Sequence, residues 1–141
     1  MKKFICLASV LFLSACETGT VIIATTCAID TPMTTSKLSA KKTFNLSGWA
    51  FDKKFDPSRR HVRVQFTSVD RKLTKTLVAE MGGKRPDVAA VFKYPNAEFS
   101  GFKVEIPANA LMPAIYEVTV LQDTSNAVVA CGNGHLVEII E

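Results

Sequence analysis

The 141-residue sequence predicts an all-β fold, a single antiparallel β-sandwich of seven to eight strands with one short helical turn, and three features carry that expectation. Apolar residues recur at every second position through most of the chain, clusters of turn-forming residues interrupt that alternation at short intervals, and no sustained helical stripe runs through it. Residues 43–51 (TFNLSGWAF) and 62–69 (VRVQFTSV) alternate most clearly, with Val62, Val64 and Phe66 on one face and Arg63, Gln65 and Thr67 on the other. The pattern repeats at 73–79, 102–106 (FKVEI), 115–121 (IYEVTVL), 127–131 and 136–140, and 21–29 reads as a first strand. Between these runs stand Asp56-Pro57-Ser58, Gly82-Gly83, Tyr94-Pro95-Asn96, Ile106-Pro107-Ala108-Asn109, Asp123-Thr124-Ser125-Asn126 and Gly132-Asn133-Gly134, all turn chemistries. Only 87–92 (DVAAVF) has helical character, and Pro86 suits a first helical turn. A chain without repeating strand–helix units does not build the parallel sheets of nucleotide-binding folds.

The chain opens on Met1-Lys2-Lys3 and an apolar run from Phe4 to Leu13, which has the length of an export signal and is too short to cross a bilayer as a helix. The junction Leu13-Ser14-Ala15-Cys16 resembles the lipobox of bacterial lipoproteins. That resemblance implies a signal peptide over residues 1–15, lipidation of Cys16, a lipidated tether over 16–20 and a folded domain over 21–141. Several acyl chains on one residue exceed what stable anchoring requires, because each buried methylene contributes about 0.8 kcal/mol. The expected location is the bacterial cell envelope, with the membrane as a partner through Cys16; Glu17, rather than Asp, after the cysteine resembles the signal for the outer membrane.

Cys6 leaves with the leader and Cys16 is taken by lipid, so Cys27 and Cys131 remain, and in an exported chain they are expected to pair. A bridge closing a loop of roughly 100 residues stabilises a fold by about 4 to 5 kcal/mol on the chain-entropy account. The alternative, a metal site of Cys27, Cys131, His135 and His61, lacks the close ligand spacing of CxxC or HExxH. No metal and no other cofactor is expected.

The series Ile29-Asp30-x-Pro32, Leu46-Ser47-Gly48-Trp49-Ala50-Phe51-Asp52, Arg85-Pro86-Asp87-Val88, Ser100-Gly101-Phe102, Ile106-Pro107, Leu111 and Tyr116 is similar to an immunoglobulin-like module of bacterial extracellular and surface proteins. The sequence departs from that module at Met112-Pro113-Ala114-Ile115, which lacks the usual glycine, and at Arg71, where glycine is common. The resemblance implies a spacer or interaction domain and supplies no catalytic residues. At the matched positions Trp49 reads as a large core filler, Gly48 and Gly101 as points of close backbone approach, and Asp87 as a turn cap.

No nucleophile elbow, P-loop, HExxH or dinucleotide fingerprint occurs, so the chain is not expected to be an enzyme. A glycan hydrolase would need Asp52 or Asp56 with Glu80 across a cleft, about 5 to 10 Å apart. Charge is more informative. Residues 52–85 hold ten Lys or Arg against four carboxylates, and residues 86–141 hold two Lys against seven. If consecutive strands lie side by side, one edge or end of the sandwich is basic. Lys53, Lys54, Arg59, Arg60 and Arg63 form the candidate binding face, with an envelope protein, an acidic glycan or an anionic lipid headgroup as possible partners and nucleic acid disfavoured by compartment. The plainer function for the same charges is a solvated rim that keeps edge strands from pairing with neighbours. Two further functions compete with an interaction or scaffold domain: an inhibitor or exclusion factor that blocks another envelope protein, and the glycan-active enzyme.

Overall fold

The computed structural model describes residues 20–23, 26–54, 61–124, 127–132 and 134–141. Among them are eleven strands: β1 (Thr20–Ile23), β2 (Cys27–Thr31), β3 (Ser36–Ser39), β4 (Phe44–Ala50), β5 (His61–Ser68), β6 (Thr74–Val78), β7 (Glu80–Gly83), β8 (Gly101–Ile106), β9 (Ala114–Asp123), β10 (Ala127–Cys131) and β11 (Leu136–Ile140). A helix α1 (Pro86–Phe92) and a 3₁₀ helix (Pro95–Phe99) lie between β7 and β8.

The strands form two sheets packed as a β-sandwich. In the larger sheet β9 is the spine, pairing with β5 along its length from Asp123↔His61 to Tyr116↔Ser68, and β6 lies outside β5. On its other side β9 pairs with β11 near its start and β10 near its end, so β10 and β11 share one edge that is interrupted between Cys131 and Leu136. β1 and β3 add to that edge in parallel, on β10 and β11 respectively. The smaller sheet, β2-β4-β8-β7, is antiparallel throughout.

The all-β sandwich expected from alternation is present, with more strands than seven or eight and with two parallel pairings at the edge. The extra strands have physical reasons. The run expected as one strand over 21–29 divides into β1 and β2, which belong to different sheets. β3 (SKLS) and β7 (EMGG) are short edge strands with too few apolar residues to alternate. The Gly82-Gly83 pair expected as a turn lies inside β7, where Gly82 takes φ +99° at a bulge between Met81 and Gly83.

Leu46, Val62, Val64, Phe66, Val104, Ile106, Tyr116, Val118, Val120, Val137 and Ile139 close the space between the sheets. Each large side chain buried there contributes about 1.5 to 3 kcal/mol. Phe66 meets Tyr116 edge-on with ring centroids 6.3 Å apart. The Tyr116 hydroxyl donates to the Met112 carbonyl at 2.9 Å, the arrangement known as a tyrosine corner in immunoglobulin-type sandwiches. Cys27 opens β2 in one sheet and Cys131 ends β10 in the other, and the expected disulfide joins them across the core with 6.2 Å between Cα atoms. Among the described residues no helix is long and apolar enough to cross a membrane.

Trp49 corrects one expectation. Leu46 and Ala50 face the other sheet, and Trp49, out of phase with both, is half-buried on the outer face of β4. There it packs with Phe51, Phe92 and Tyr94 in a second apolar cluster under α1, with Phe51, Val88 and Ala97 fully or almost fully buried. Gly48 and Gly101 are the close approaches expected: a Cβ on Gly48 would sit 2.0 Å from the Ala28 carbonyl oxygen, and one on Gly101 2.6 Å from that of Gly83.

Candidate binding surface

The outer face of the smaller sheet gathers residues far apart in sequence. Register aligns Glu80, Lys103, Ser47 and Thr31 in one cross-strand row, and Gly83, Gly101, Trp49 and Ala28 in the next. The Thr31 and Ser47 hydroxyls are 2.7 Å apart and hydrogen-bonded. Above the small residues, Arg85 spreads its guanidinium between two carboxylates, with Nε and Nη2 donating to Asp87 at 3.0 and 2.7 Å and Nη1 to Asp30 at 2.6 Å. This two-pronged geometry suits arginine and is closed to lysine. The Arg85 guanidinium holds the Asp87 carboxyl down at about 2, and Asp87 in turn raises Arg85 above its usual range. Asp87 therefore serves as the partner of Arg85, and α1 starts without a side-chain cap. The two motif fragments Ile29-Asp30-x-Pro32 and Arg85-Pro86-Asp87 meet in this cluster, which ties β2 to the start of the helix.

A cleft of about 450 Å³ lies beside the cluster, lined by Asp30, Ser47, Glu80, Lys84, Arg85 and Lys103 over the Gly83–Gly101 floor. Its carboxylates are Asp30 and Glu80. Asp52, which the sequence offers as a partner for Glu80, lies five residues beyond Ser47, on the order of 15 Å along an extended chain. Asp52 is not among the residues lining this cleft. Asp56 lies outside the described residues.

Of the candidate binding face, Lys53 and Lys54 occupy the turn after β4 and are exposed. The Lys54 backbone N–H donates to Asp52 Oδ1 at 2.8 Å, and Lys53 Nζ stands 5.6 Å from the centre of the Tyr94 ring, within range of a cation–π attraction. Arg63 is placed differently from the expectation. It forms a two-pronged pair with Asp123 across β5 and β9, Nε donating at 2.6 Å, so its charge is matched inside the larger sheet. Cys16, Arg59 and Arg60 lie outside the described residues.

The opposite charges of the two halves of the chain partly cancel in space, because β5 from the basic half pairs with β9 from the acidic half. Arg63–Asp123 and Arg85–Asp87 join the two halves directly. What stays together is a smaller group, Lys53 and Lys54 in one turn, with Lys53 over the Tyr94 ring. Lys93 ends α1 in the left-handed conformation, φ 49°. It adjoins Tyr94 in the chain, and no local pattern marks the contacts of Tyr94 with Phe51 and Lys53.

His135 lines a separate cavity of about 230 Å³ with Cys27, Thr34, Cys131, Gly132 and Gly134. Burial pushes its imidazole below the usual histidine range, against an opposing hydrogen bond to the Pro32 carbonyl, and Nε2 is sealed from solvent with no hydrogen-bond partner among the described residues. The alternative metal site fails on its ligands. Its two sulfurs are bonded to each other, and His61 is at the far end of β5, level with Asp123. Among the described residues no group of three or more His, Cys, Asp or Glu gathers where a metal would sit. No protein-family model matches this chain, and no curated protein matches it.

Proposed function

We propose that the protein is a lipid-anchored domain of the bacterial envelope, held at Cys16, that works by binding and not by catalysis. The Cys27–Cys131 disulfide is the observation that carries this reading. It joins two sheets and closes a loop of 104 residues, and bridges of that kind persist in oxidising compartments outside the cytoplasm. The disulfide thus favours export, and the resemblance of Leu13-Ser14-Ala15-Cys16 to a lipobox supplies the anchor in this reading. Binding is favoured over catalysis because the motif residues have structural work: Gly48 and Gly101 admit close backbones, and Arg85 is engaged by Asp30 and Asp87. The immunoglobulin-like resemblance implies the same kind of role, a spacer or interaction module.

Fractionation of cells tests the reading. The wild-type chain is expected in the membrane fraction and to stay there in high salt, whereas Cys16→Ser is expected in a soluble fraction. A wild-type chain recovered from the cytosol, or a Cys16→Ser chain still held by membranes in high salt, contradicts it. Crosslinking in intact cells separates a general scaffold from an exclusion factor, which gives one dominant protein adduct.

A further inference from the structure

We infer that the end of the sandwich carrying the tether is a docking surface for anionic phospholipid headgroups of the membrane that holds the anchor, made by Lys53, Lys54 and Lys93. The inference rests on the reading of Cys16 as the anchor.

Strand register sets the levels. In the larger sheet His61, Asp123, Val128 and Val21 form one cross-strand row at the end where β1 starts. Three residues up β5 from His61, Val64 shares a row with Val120 and Cys131. The disulfide links that level to Cys27, which pairs with Ala50. The chain continues from Ala50 toward the tether end, and Lys53 comes three residues later, at about the level of the His61 row. Tyr94 stacks on Phe51 at 5.6 Å and lies under Lys53, which places Lys93 at the same end.

The tether leaves little freedom. Thr20 follows Cys16 by four residues, and four extended residues span at most about 14 Å. Lysines on that end are therefore held within one or two screening lengths of the lipid surface, where a basic residue is attracted to anionic headgroups. Among the described residues Asp52 stands beside Lys54 at this end, and Asp123, in the row of His61, is matched by Arg63. A domain docked in this way is held at a defined angle, with the outer-face cleft and the far-end loops left open to a partner.

The test anchors the purified lipidated chain in phosphatidylcholine vesicles with and without about a third phosphatidylglycerol, a composition that gives a substantial negative surface potential. Amide hydrogen exchange is followed at residues 51–54 and 91–94. Exchange there is expected to slow on the anionic vesicles alone and to recover in 0.5 M salt. Lys53→Glu, Lys54→Glu and Lys93→Glu together are expected to lower the docked-to-undocked ratio on the order of a hundredfold, and the corresponding arginine variants to preserve it. Trp49 fluorescence checks that the variants are folded. Equal exchange on both vesicles, or a folded glutamate variant that behaves as wild type, overturns the inference. Failure of the anchor is read separately, from the mass of the N-terminal peptide. If Cys16 is unmodified, the same chain added to both vesicles still decides the surface: pelleting with the anionic vesicles alone supports it, and equal pelleting overturns it.

Discussion

The core between the sheets and the aromatic cluster under α1 are both closed to solvent at their centres, and they are assembled differently. The first is built by strands, through alternate residues of β4, β5, β8, β9 and β11, and the disulfide crosses it. The second takes Trp49 from the outer face of a strand, Phe51 from just past its end, and Phe92 and Tyr94 from the end of a helix and the loop after it. Strand pairing holds the first in register over its whole length, whereas the second depends on a seven-residue helix whose start is fixed by Arg85. The sandwich thus carries, on the outer face of its smaller sheet, a patch whose shape is set by a few side chains. Local openings concentrate where fewer backbone ladders cross.

Breaking the central clasp is expected to have the largest effect. Replacing Cys27 and Cys131 by Ala should lower stability by about 4 to 5 kcal/mol, measured by denaturant unfolding. Next, Phe66→Ala and Phe51→Ala each remove a fully buried ring, at about 3 to 5 kcal/mol for a well-packed site. They are expected to differ in what they unfold. Trp49, the only tryptophan, reports the aromatic cluster. Phe66→Ala should shift its fluorescence and the far-ultraviolet sheet signal together; Phe51→Ala should make the fluorescence transition come first. Coincident transitions in Phe51→Ala would mean that the two clusters unfold as one unit.

Gly48→Ala comes next, at about 2 to 3 kcal/mol, since a methyl group 2.0 Å from a backbone oxygen forces β2 away from β4. Smaller still is the effect of pH through His135. Its folded value lies below the usual one near 6.5, so the unfolded chain binds the proton more readily and stability falls as pH drops below about 6.5. Unfolding midpoints of wild type and His135→Gln at pH 8 and pH 5 should converge in their pH dependence only to the extent that other groups titrate, with the wild type losing more. The smallest expected change is a gain. Arg71 holds φ 59° in the β5–β6 turn, and Arg71→Gly should stabilise by about 0.5 kcal/mol, read as a small rise in Tm.

The same contrast explains what was legible in the sequence. Period two located β4, β5, β6, β8, β9, β10 and β11 within a few residues, and β4, β5, β8, β9 and β11 bury alternate side chains in the central core. It also contained the answer for Trp49, which is out of phase with Leu46 and Ala50; alternation assigns faces but does not say that both faces of a strand are covered. Pro86 correctly marked the start of α1. Edge strands β3 and β7 were silent, since a strand paired on one side needs little apolar content. The Asp30–Arg85–Asp87 cluster was present only as separate motif fragments, because its parts are 55 residues apart and no spacing rule links them. The basic face was legible as composition and misread as geometry: Arg63 meets Asp123 only because β5 and β9 are neighbours. Lys53 meets Tyr94 only through the packing of Tyr94 on Phe51.

Mass spectrometry of the chain purified from native membranes tests the central claim most directly, that a disulfide-clasped β-sandwich is held outside the cytoplasm by lipid on Cys16. The predicted result is an N-terminal peptide beginning at Cys16 with its lipid attached, together with a linked Cys27–Cys131 peptide pair. An unmodified Cys16 on a chain that retains residues 1–15, or free thiols at Cys27 and Cys131, would contradict it.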